Sequence, residues 1–454
     1  MINCGVFKGQ KIAVLGLGRS GQAVAEALSQ SGARVVAWDD GYKEADLANS
    51  NYDIADLNIY ENFNEFDLLV LSPGISHTLP TIHPVVARAR DANVEIVNDV
   101  HIFKQSYKGD IVAVTGTNGK STTTALMHHV LSGHMHCEMG GNIGTALMSL
   151  SNNAQAIVAE LSSYQTEITH NLNARAVIWL NITADHLERH GDMRGYVAAK
   201  AKIFETDAQH KGAFAVICID DEYSADMYNR ISQQKDHKCI PVSTKEKLTN
   251  GVSIIGHEIY DDGVLVGDMK QAETLKGVHN HQNAACVYAV ASKVFGLAPE
   301  KIINEFFTFN GLAHRQFKVA QYDGITFIND SKATNGEAAR HALVSFQNIY
   351  WLAGGVAKDG GIEGLTHYFK TIKKAYLYGQ AAASFSEVLK KQNIPFETFT
   401  DMKSALIQSY KDARKEGKKA TVLLSPACAS FDQYRNFEER GCHFEEIVRA
   451  EIKK

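Results

Sequence analysis

The stretch Asp110-Ile-Val-Ala-Val-Thr-Gly-Thr-Asn-Gly-Lys-Ser-Thr-Thr-Thr124 constrains this chain more than any other. Ile111 to Val114 is a short apolar run of the kind that forms a buried strand, and helical patterning resumes at Ser121. Gly119-Lys120-Ser121 closes the turn between them. A strand that feeds a helix through a glycine turn aims backbone N–H groups and the positive end of the helix at an anion. The pattern predicts a nucleotide cradle in which Lys120 reaches the β- and γ-phosphates and Ser121 ligates Mg²⁺. The spacing differs from the standard P-loop, because Val114 rather than a glycine stands five residues before Gly119. Strand, turn and helix together still predict ATP binding.

At 454 residues the chain exceeds one ordinary core, and two to four domains are expected at ~150 residues each. A net charge of −5 with a pI near 6.4 gives no basic field, which argues against nucleic acid as the main partner. No apolar run approaches the ~18 residues of a membrane span, and Met1–Lys11 has no secretory h-region or cleavage site. The seven cysteines are scattered and form no Cys-x-x-Cys pair. They fit the reduced thiols of a cytoplasm and are expected as small buried hydrophobes.

Upstream, Lys11–Leu17 reads as a strand, Ser20–Gln30 as a helix and Arg34–Trp38 as a second strand, with Gly16-x-Gly18-x-x-Gly21 at the first turn and Asp39 at the end of the second strand. On its face this is a dinucleotide fingerprint with Asp39 for a ribose hydroxyl, and taken alone it supports a nicotinamide oxidoreductase. Such a half can equally hold any nucleotide diphosphate, or its glycines can serve the turn alone. A further strand from Phe66 places Ser72-Pro73-Gly74 at a carboxyl end, where open α/β sheets bind ligands. The short strand at Val94–Val97 and the polar Asn98-Asp99 predict a domain boundary near residue 98.

Downstream of the cradle, Glu138–Gly144 reads as a glycine-rich turn with Asn142 at its tip. Strand Ala156–Glu160 ends in a carboxylate, placed either to organise Mg²⁺ or to act as a cap or surface acid. Strand Ala176–Leu180 runs into Asn181-Ile-Thr-Ala-Asp-His186, a candidate ligand histidine in a setting where a lone histidine is more often structural. Lys200 lies in a helix read as Tyr196–Phe204, on a small-residue face where a lysine is ordinarily solvated. Residues 211–275 read as short strands and turns, including Ala213–Ile219, Val252–Ile259 and Gly263–Met269. Asn280 and Asn283 share one face of the Ala-rich helix that follows, able to read an adenine edge or to cap the helix. Pro299 and Phe309-Asn310-Gly311 mark a boundary near 310, after which strands and helices alternate again, as in a mainly parallel, helix-covered sheet.

Read to its end, the chain resembles the Mur ligases, the ATP-dependent amino-acid ligases of peptidoglycan synthesis, and within them the D-glutamate-adding member. The resemblance rests on Thr115-Gly-Thr-Asn-Gly-Lys-Ser-Thr122, Gly140-Gly-Asn-Ile-Gly144, Glu160-Leu-Ser-Ser, Asn181-x-x-x-Asp-His186, Ala198-Ala-Lys200, His279-Asn280-x-x-Asn283, His314-Arg315, Asn329-Asp-Ser-Lys-Ala-Thr-Asn335 and Leu424-Ser-Pro-Ala-Cys-Ala-Ser430, in the family's order. Ser72-Pro-Gly-Ile and Ser425–Gln433 point to the D-glutamate member, and the Asp-Asn-Pro-Arg of the diaminopimelate-adding relative is absent. Folylpolyglutamate synthases share the central loop but lack a nucleotide-type domain ahead of it.

The resemblance implies an α/β protein of three domains. Residues 1–98 are a Rossmann-like domain for the UDP substrate, 99–310 a central P-loop ATPase-type parallel sheet, and 311–454 a C-terminal Rossmann-like domain for the amino acid. It implies a cytoplasmic monomer that ligates UDP-N-acetylmuramoyl-L-alanine and D-glutamate, using ATP and two Mg²⁺ ions. Gly18, Arg19, Ser20, Asp39, Ser72 and Gly74 would line the UDP-muramoyl side together with Asn142 and His186. Asp40 departs from the family, where this position often carries a hydroxyl. Gly116, Thr117, Asn118, Gly119, Lys120, Ser121, Thr122 and Thr123, with Asn280, Asn283, Arg315, Asp330 and Lys332, would bind ATP. Ser121, Glu160, His186 and Lys200 as a carbamate would hold metal, with Lys120, Glu160, His186 and Lys200 as the catalytic set. Thr334, Lys358, Ser430 and the backbone near Phe437 would hold D-glutamate. Closure of the last domain is expected before chemistry.

Overall fold

The structure is a computed structural model that describes residues 1–41, 51–207, 212–234, 236–357 and 360–452. It divides into two compact units, Met1–Phe309 and Asn310–Lys454. The first carries two sheets and the second carries one.

The first sheet contains β1 (Lys11–Leu15), β2 (Arg34–Trp38), β3 (Asp53–Ile54), β4 (Leu68–Leu71) and β5 (Glu95–Asn98) in the order β3-β2-β1-β4-β5. Every pair is parallel. Strand β4 is buried at every position, as a strand covered on both faces must be. The order reverses beside β1, so the Gly16 turn and Ser72 meet at a switch point, the usual ligand crevice of such sheets.

The second sheet contains β6 (Asp110–Thr115), β7 (Cys137–Gly141), β8 (Ala156–Glu160), β9 (Ala176–Trp179), β10 (Ala213–Cys218), β11 (His237–Ser243), β12 (Val252–Ile255), β13 (Glu258–Asp261) and β14 (Val264–Asp268). Its order is β14-β13-β12-β11-β10-β9-β6-β8-β7, parallel except for the β12-β13-β14 hairpins. Central β6 lies between β8 and β9, so the cradle loop, Glu160 and the Asn181–His186 loop all leave neighbouring carboxyl ends. One apolar core runs continuously through the first two sheets, from Ile12 and Val14 to Trp179 and Ile217.

The third sheet contains β15 (Phe317–Tyr322), β16 (Ile325–Asn329), β17 (Ile349–Gly354), β18 (Ile372–Tyr378), β19 (Phe396–Phe399) and β20 (Ala420–Leu424), ordered β15-β16-β20-β17-β18-β19. Only β15 is antiparallel. Side chains alternate between two cores, Trp351 and Ala353 on one face and Tyr350 and Leu352 on the other.

Some elements differ from the sequence reading. Glu138 to Gly141 is not turn but part of edge strand β7, since backbone pairing with β8 needs no side chain. Val252–Ile259 is two strands of a hairpin, broken at Gly256-His257 where Gly256 takes φ +64°. The helix bearing Lys200 spans Met193–Ala201, capped by the Asp192 side chain, and tightens to a 3₁₀ turn at Lys202–Phe204. Polar Asn98 and Asp99 are buried. Asn98 caps the helix Asp99–Ser106 and donates to Gln165 O at 2.6 Å and Thr169 Oγ1 at 2.9 Å.

Candidate active site

The loop after β6 takes its shape from two glycines. Gly116 at φ +151° and Gly119 at φ +85° adopt backbone conformations that favour glycine. A Cβ on Gly119 would overlap Asn283 Oδ1, and one on Gly116 would lie 2.9 Å from Leu180 Cβ. Gly119 is the N-cap of the helix Lys120–Ser132, which leaves the first backbone N–H groups of that helix open to an anion. The loop is pinned from β9. Thr117 N–H donates to Asn181 O at 2.7 Å, and Asn118 N–H donates to Asn181 Oδ1 at 2.9 Å. Ser121 and Thr122 lie half-buried in the first turn, and the buried Thr123 hydroxyl has no partner.

Lys120 Nζ folds back onto Gly116 O at 3.0 Å and Thr117 O at 2.8 Å. Lys200 Nζ reaches the same Gly116 O at 3.0 Å and Thr115 Oγ1 at 3.4 Å. Its side chain is only 1% exposed, over the ring of Tyr196. Burial, reinforced by the Lys120 charge and only partly offset by Asp185 and Glu160, lowers the Lys200 amine to about 7. Glu160 is 2% exposed. Its Oε1 accepts from Asn142 Nδ2 at 3.0 Å, while its buried Oε2 has no hydrogen-bond partner. His186 sits at φ +53° with an exposed ring, paired through Nδ1 with Tyr164 OH at 3.0 Å and 3.4 Å from Asp185 Oδ2.

A buried carboxylate oxygen without a hydrogen-bond partner is the donor a hard cation requires. Among the described residues no three His, Cys, Asp or Glu side chains form a complete metal cage.

On the first sheet, Asp39 braces the glycine turn by accepting from Leu17 N–H at 2.6 Å and Gly41 N–H at 2.9 Å. Ser72 Oγ donates to Gly16 O at 2.7 Å, and Ser20 is hydrogen-bonded to buried Asp99. Gly18 caps the helix Arg19–Gln30, Arg19 is exposed, and the space around Gly74 is open. Asp40 accepts from Trp38 Nε1 at 2.7 Å and pairs with His83 at 2.8 Å. Burial would raise its carboxyl, but bonds from His83, Trp38 and Asn58 outweigh this and hold it below the usual range.

Asn283 donates to Asn280 Oδ1 at 3.3 Å, and Asn280 donates to Lys276 O at 3.1 Å, so both carboxamides brace the start of the helix Val278–Lys293. In the C-terminal unit, Asp330 accepts from Ser425 Oγ at 2.7 Å and from Gln316 N–H at 3.1 Å. Burial pushes its carboxyl up to about 7. Arg315 is exposed, Lys332 Nζ lies 5.9 Å from the Phe437 ring centroid, Thr334 is half-buried and Ser430 is buried. Ser331 Oγ donates to Phe437 O at 2.8 Å, joining the loop after β16 to the helix Phe437–Ile447. Lys358 lies outside the described residues.

Sequence reasoning quoted Asn181 and Asp185 only within a family motif and assigned no role to them or to Tyr196. Asn181 grips both sides of Asn118, donating back to Asn118 O at 3.2 Å, and Tyr196 OH pairs with Thr117 Oγ1 at 3.1 Å. The available signal for Asn181 was its place just past a buried strand, equivalent to that of Glu160 at the end of β8.

A family profile described as the Mur ligase middle domain matches residues 114–291, and one described as the Mur ligase MurD-like N-terminal domain matches residues 10–98. The UDP-N-acetylmuramoylalanine–D-glutamate ligase of Phenylobacterium zucineum is 43% identical over 469 residues, covering 100% of this chain and 98% of that protein. The protein of the same name from Rickettsia bellii is 41% identical over 445 residues, covering 96% of each. Among solved structures, MurC from Thermotoga maritima aligns at TM-score 0.59 and 19% identity over 98% of this chain and 100% of that one. MurF from the same organism, in complex with ADP, aligns at TM-score 0.53 and 15% identity, covering 99% and 97%. At these identities the two structures show a shared fold alone. The Gly16–Gly21 turn falls inside the MurD-like match, which removes the support for a nicotinamide enzyme. Matched by Mur ligase profiles at residues 10–98 and 114–291, and by a relative along its whole length, the chain belongs to the Mur ligase family.

Proposed function

We propose that the chain joins D-glutamate to UDP-N-acetylmuramoyl-L-alanine at the expense of ATP, a carbon–nitrogen ligation that builds peptidoglycan precursor in the cytoplasm. Relatives at 43% and 41% identity carry that ligase name, and all seven cysteines are unpaired, as a reducing compartment requires. The observation that carries the reading is the convergence of Lys120, Lys200 and Glu160 around the Gly116–Gly119 loop, with the buried Glu160 Oε2 unpartnered.

An oxygen of the L-alanyl carboxylate attacks the γ-phosphorus of ATP. The bond to ADP breaks and an acyl phosphate forms. The neutral amine of D-glutamate then attacks the acyl carbon, the tetrahedral adduct collapses, and phosphate leaves as the amide nitrogen loses its proton. The first step brings two anions together, so catalysis is mainly electrostatic clamping and positioning. Lys120 would exchange its carbonyl contacts for phosphate oxygens, and the first N–H groups of the helix Lys120–Ser132 would hold the same phosphates. Bound Mg²⁺ neutralises phosphate charge. Ser121 and Glu160 would hold one ion, and His186 with a carbamylated Lys200 a second. The Asn142 contact with Glu160 would link the muramoyl side to the metal side. Gly18, Arg19, Ser20, Asp39, Ser72 and Gly74 would take the UDP. Asn280, Asn283, Arg315, Asp330 and Lys332 would serve the nucleotide, and Thr334, Lys358, Ser430 and Phe437 the D-glutamate.

The test is phosphate release with each component omitted in turn, then with a panel of amino acids. Release that requires both UDP-N-acetylmuramoyl-L-alanine and D-glutamate is expected. Equal turnover with another amino acid, or release from ATP alone at the full rate, would sink the reading.

A further inference from the structure

Arg440, in the first turn of the helix Phe437–Ile447, is 0% exposed. Its Nε donates to Ser331 Oγ at 2.9 Å, its Nη2 to Ser331 O at 2.9 Å and Cys428 O at 3.0 Å, and its Nη1 to Gly354 O at 3.4 Å. Among the described residues it forms no ion pair with a carboxylate. A guanidinium taken out of water loses several kcal/mol of hydration and normally sits against an acid. Here every hydrogen-bond acceptor is a neutral dipole, and the Asp432 carboxylate lies farther off, on the Gly379-Gln380 backbone.

Those acceptors come from three segments. Ser331 follows β16, Gly354 ends β17 and Cys428 follows β20, and these three strands are adjacent in the sheet. Their carboxyl ends are the edge at which open α/β sheets bind ligands. Gly355, at φ +125°, lies against the loop after β20 and the guanidinium, since a Cβ there would lie 2.1 Å from Ala429 O and 3.2 Å from Nη1. Ser331 relays the grip by donating to Phe437 O at 2.8 Å. A planar fork with five donors can hold three loops at once, which the point charge of a lysine cannot.

We propose that Arg440 is a positioning residue for an acidic acceptor. It locks the loops carrying Thr334 and Ser430 and the helix start at Phe437 into one arrangement, and its buried guanidinium favours a dicarboxylate over a neutral amino acid there. The inference rests on the D-glutamate reading above.

Three variants test it: Arg440→Lys, Arg440→Met and the milder Ser331→Ala, which removes the relay while keeping the cation. In Arg440→Lys the KM for D-glutamate rises roughly tenfold or more, while those for ATP and the UDP substrate stay within about twofold. Ser331→Ala raises the D-glutamate KM by about threefold to fivefold. Arg440→Met also narrows the preference for D-glutamate over D-glutamine. Should Arg440→Met not fold, Ser331→Ala and Arg440→Lys still decide the matter. An unchanged D-glutamate KM in those two, or a parallel rise in all three KM values, overturns the proposal. If the wild type uses another acidic amino acid instead, the D-glutamate reading falls and the KM for that acid judges Arg440. Turnover with an uncharged amino acid overturns both.

Discussion

Lys200 shows how far a residue's surroundings can move its chemistry. Only the neutral amine attacks CO₂, forming an N–C bond and releasing a proton, and burial beside Lys120 brings that form within reach near neutral pH. The product is an anion next to a cation, in place of two neighbouring ammonium groups. Uptake of labelled bicarbonate, followed by ¹³C NMR, should therefore rise as pH increases through about 7, because the ammonium form that dominates below this value is inert. Lys200→Ala should lose both the signal and most activity; full activity without the lysine would refute the carbamate. Glu160→Gln keeps the Asn142 contact but removes the charge of the orphaned oxygen, and should lower kcat by roughly 10²–10³ in a steady-state assay. The sequence made Glu160 legible as an acid closing a buried strand. Lys200 was legible only through family resemblance. Its small-residue face suggested a solvated lysine, yet the side chain is buried and its Nζ donates to Gly116 O.

At the level of elements, the strand–turn–helix from Asp110 to Ser132 was readable because apolar run, glycine and helix start agree with one another. Strand β7, full of glycine, and β11, which contains Pro241, were not, because their place is set by backbone pairing to a neighbour. The cradle itself invites a double-mutant cycle. Gly119→Ala should weaken ATP binding in calorimetry by about tenfold or more, since the new Cβ overlaps Asn283 and the left-handed backbone costs ~1–2 kcal/mol. In an Asn283→Ala background the overlap is gone but the backbone strain remains, so Gly119→Ala should cost less affinity, measured against Asn283→Ala alone, than it does in the wild type. No loss in that background would mean that φ at Gly119 is unimportant, and an undiminished loss that the overlap is.

For the molecule as a whole, the sequence pattern predicted alternating α/β units, and the sheets are of that kind. Asn98-Asp99, a polar pair that marks the expected boundary near residue 98, is buried and bonded to Gln165 and Thr169, contacts that the sequence does not announce. Long-range hydrogen bonds leave no periodic trace in sequence. Asn98→Ala removes a helix cap and two buried bonds from its amide, while Thr169 Oγ1 still donates to Gln165 O at 2.7 Å, so it should destabilise the first compact unit by about 1–3 kcal/mol in thermal unfolding. A change within experimental error would show the junction to be incidental. The central claim is that ATP activates a carboxylate. With ¹⁸O in the L-alanyl carboxylate of the UDP substrate, mass spectrometry of the phosphate released during turnover with D-glutamate should find one labelled oxygen per phosphate, carried over when the acyl phosphate collapses. Unlabelled phosphate, meaning that water and not the carboxylate had taken the phosphoryl group, would contradict it.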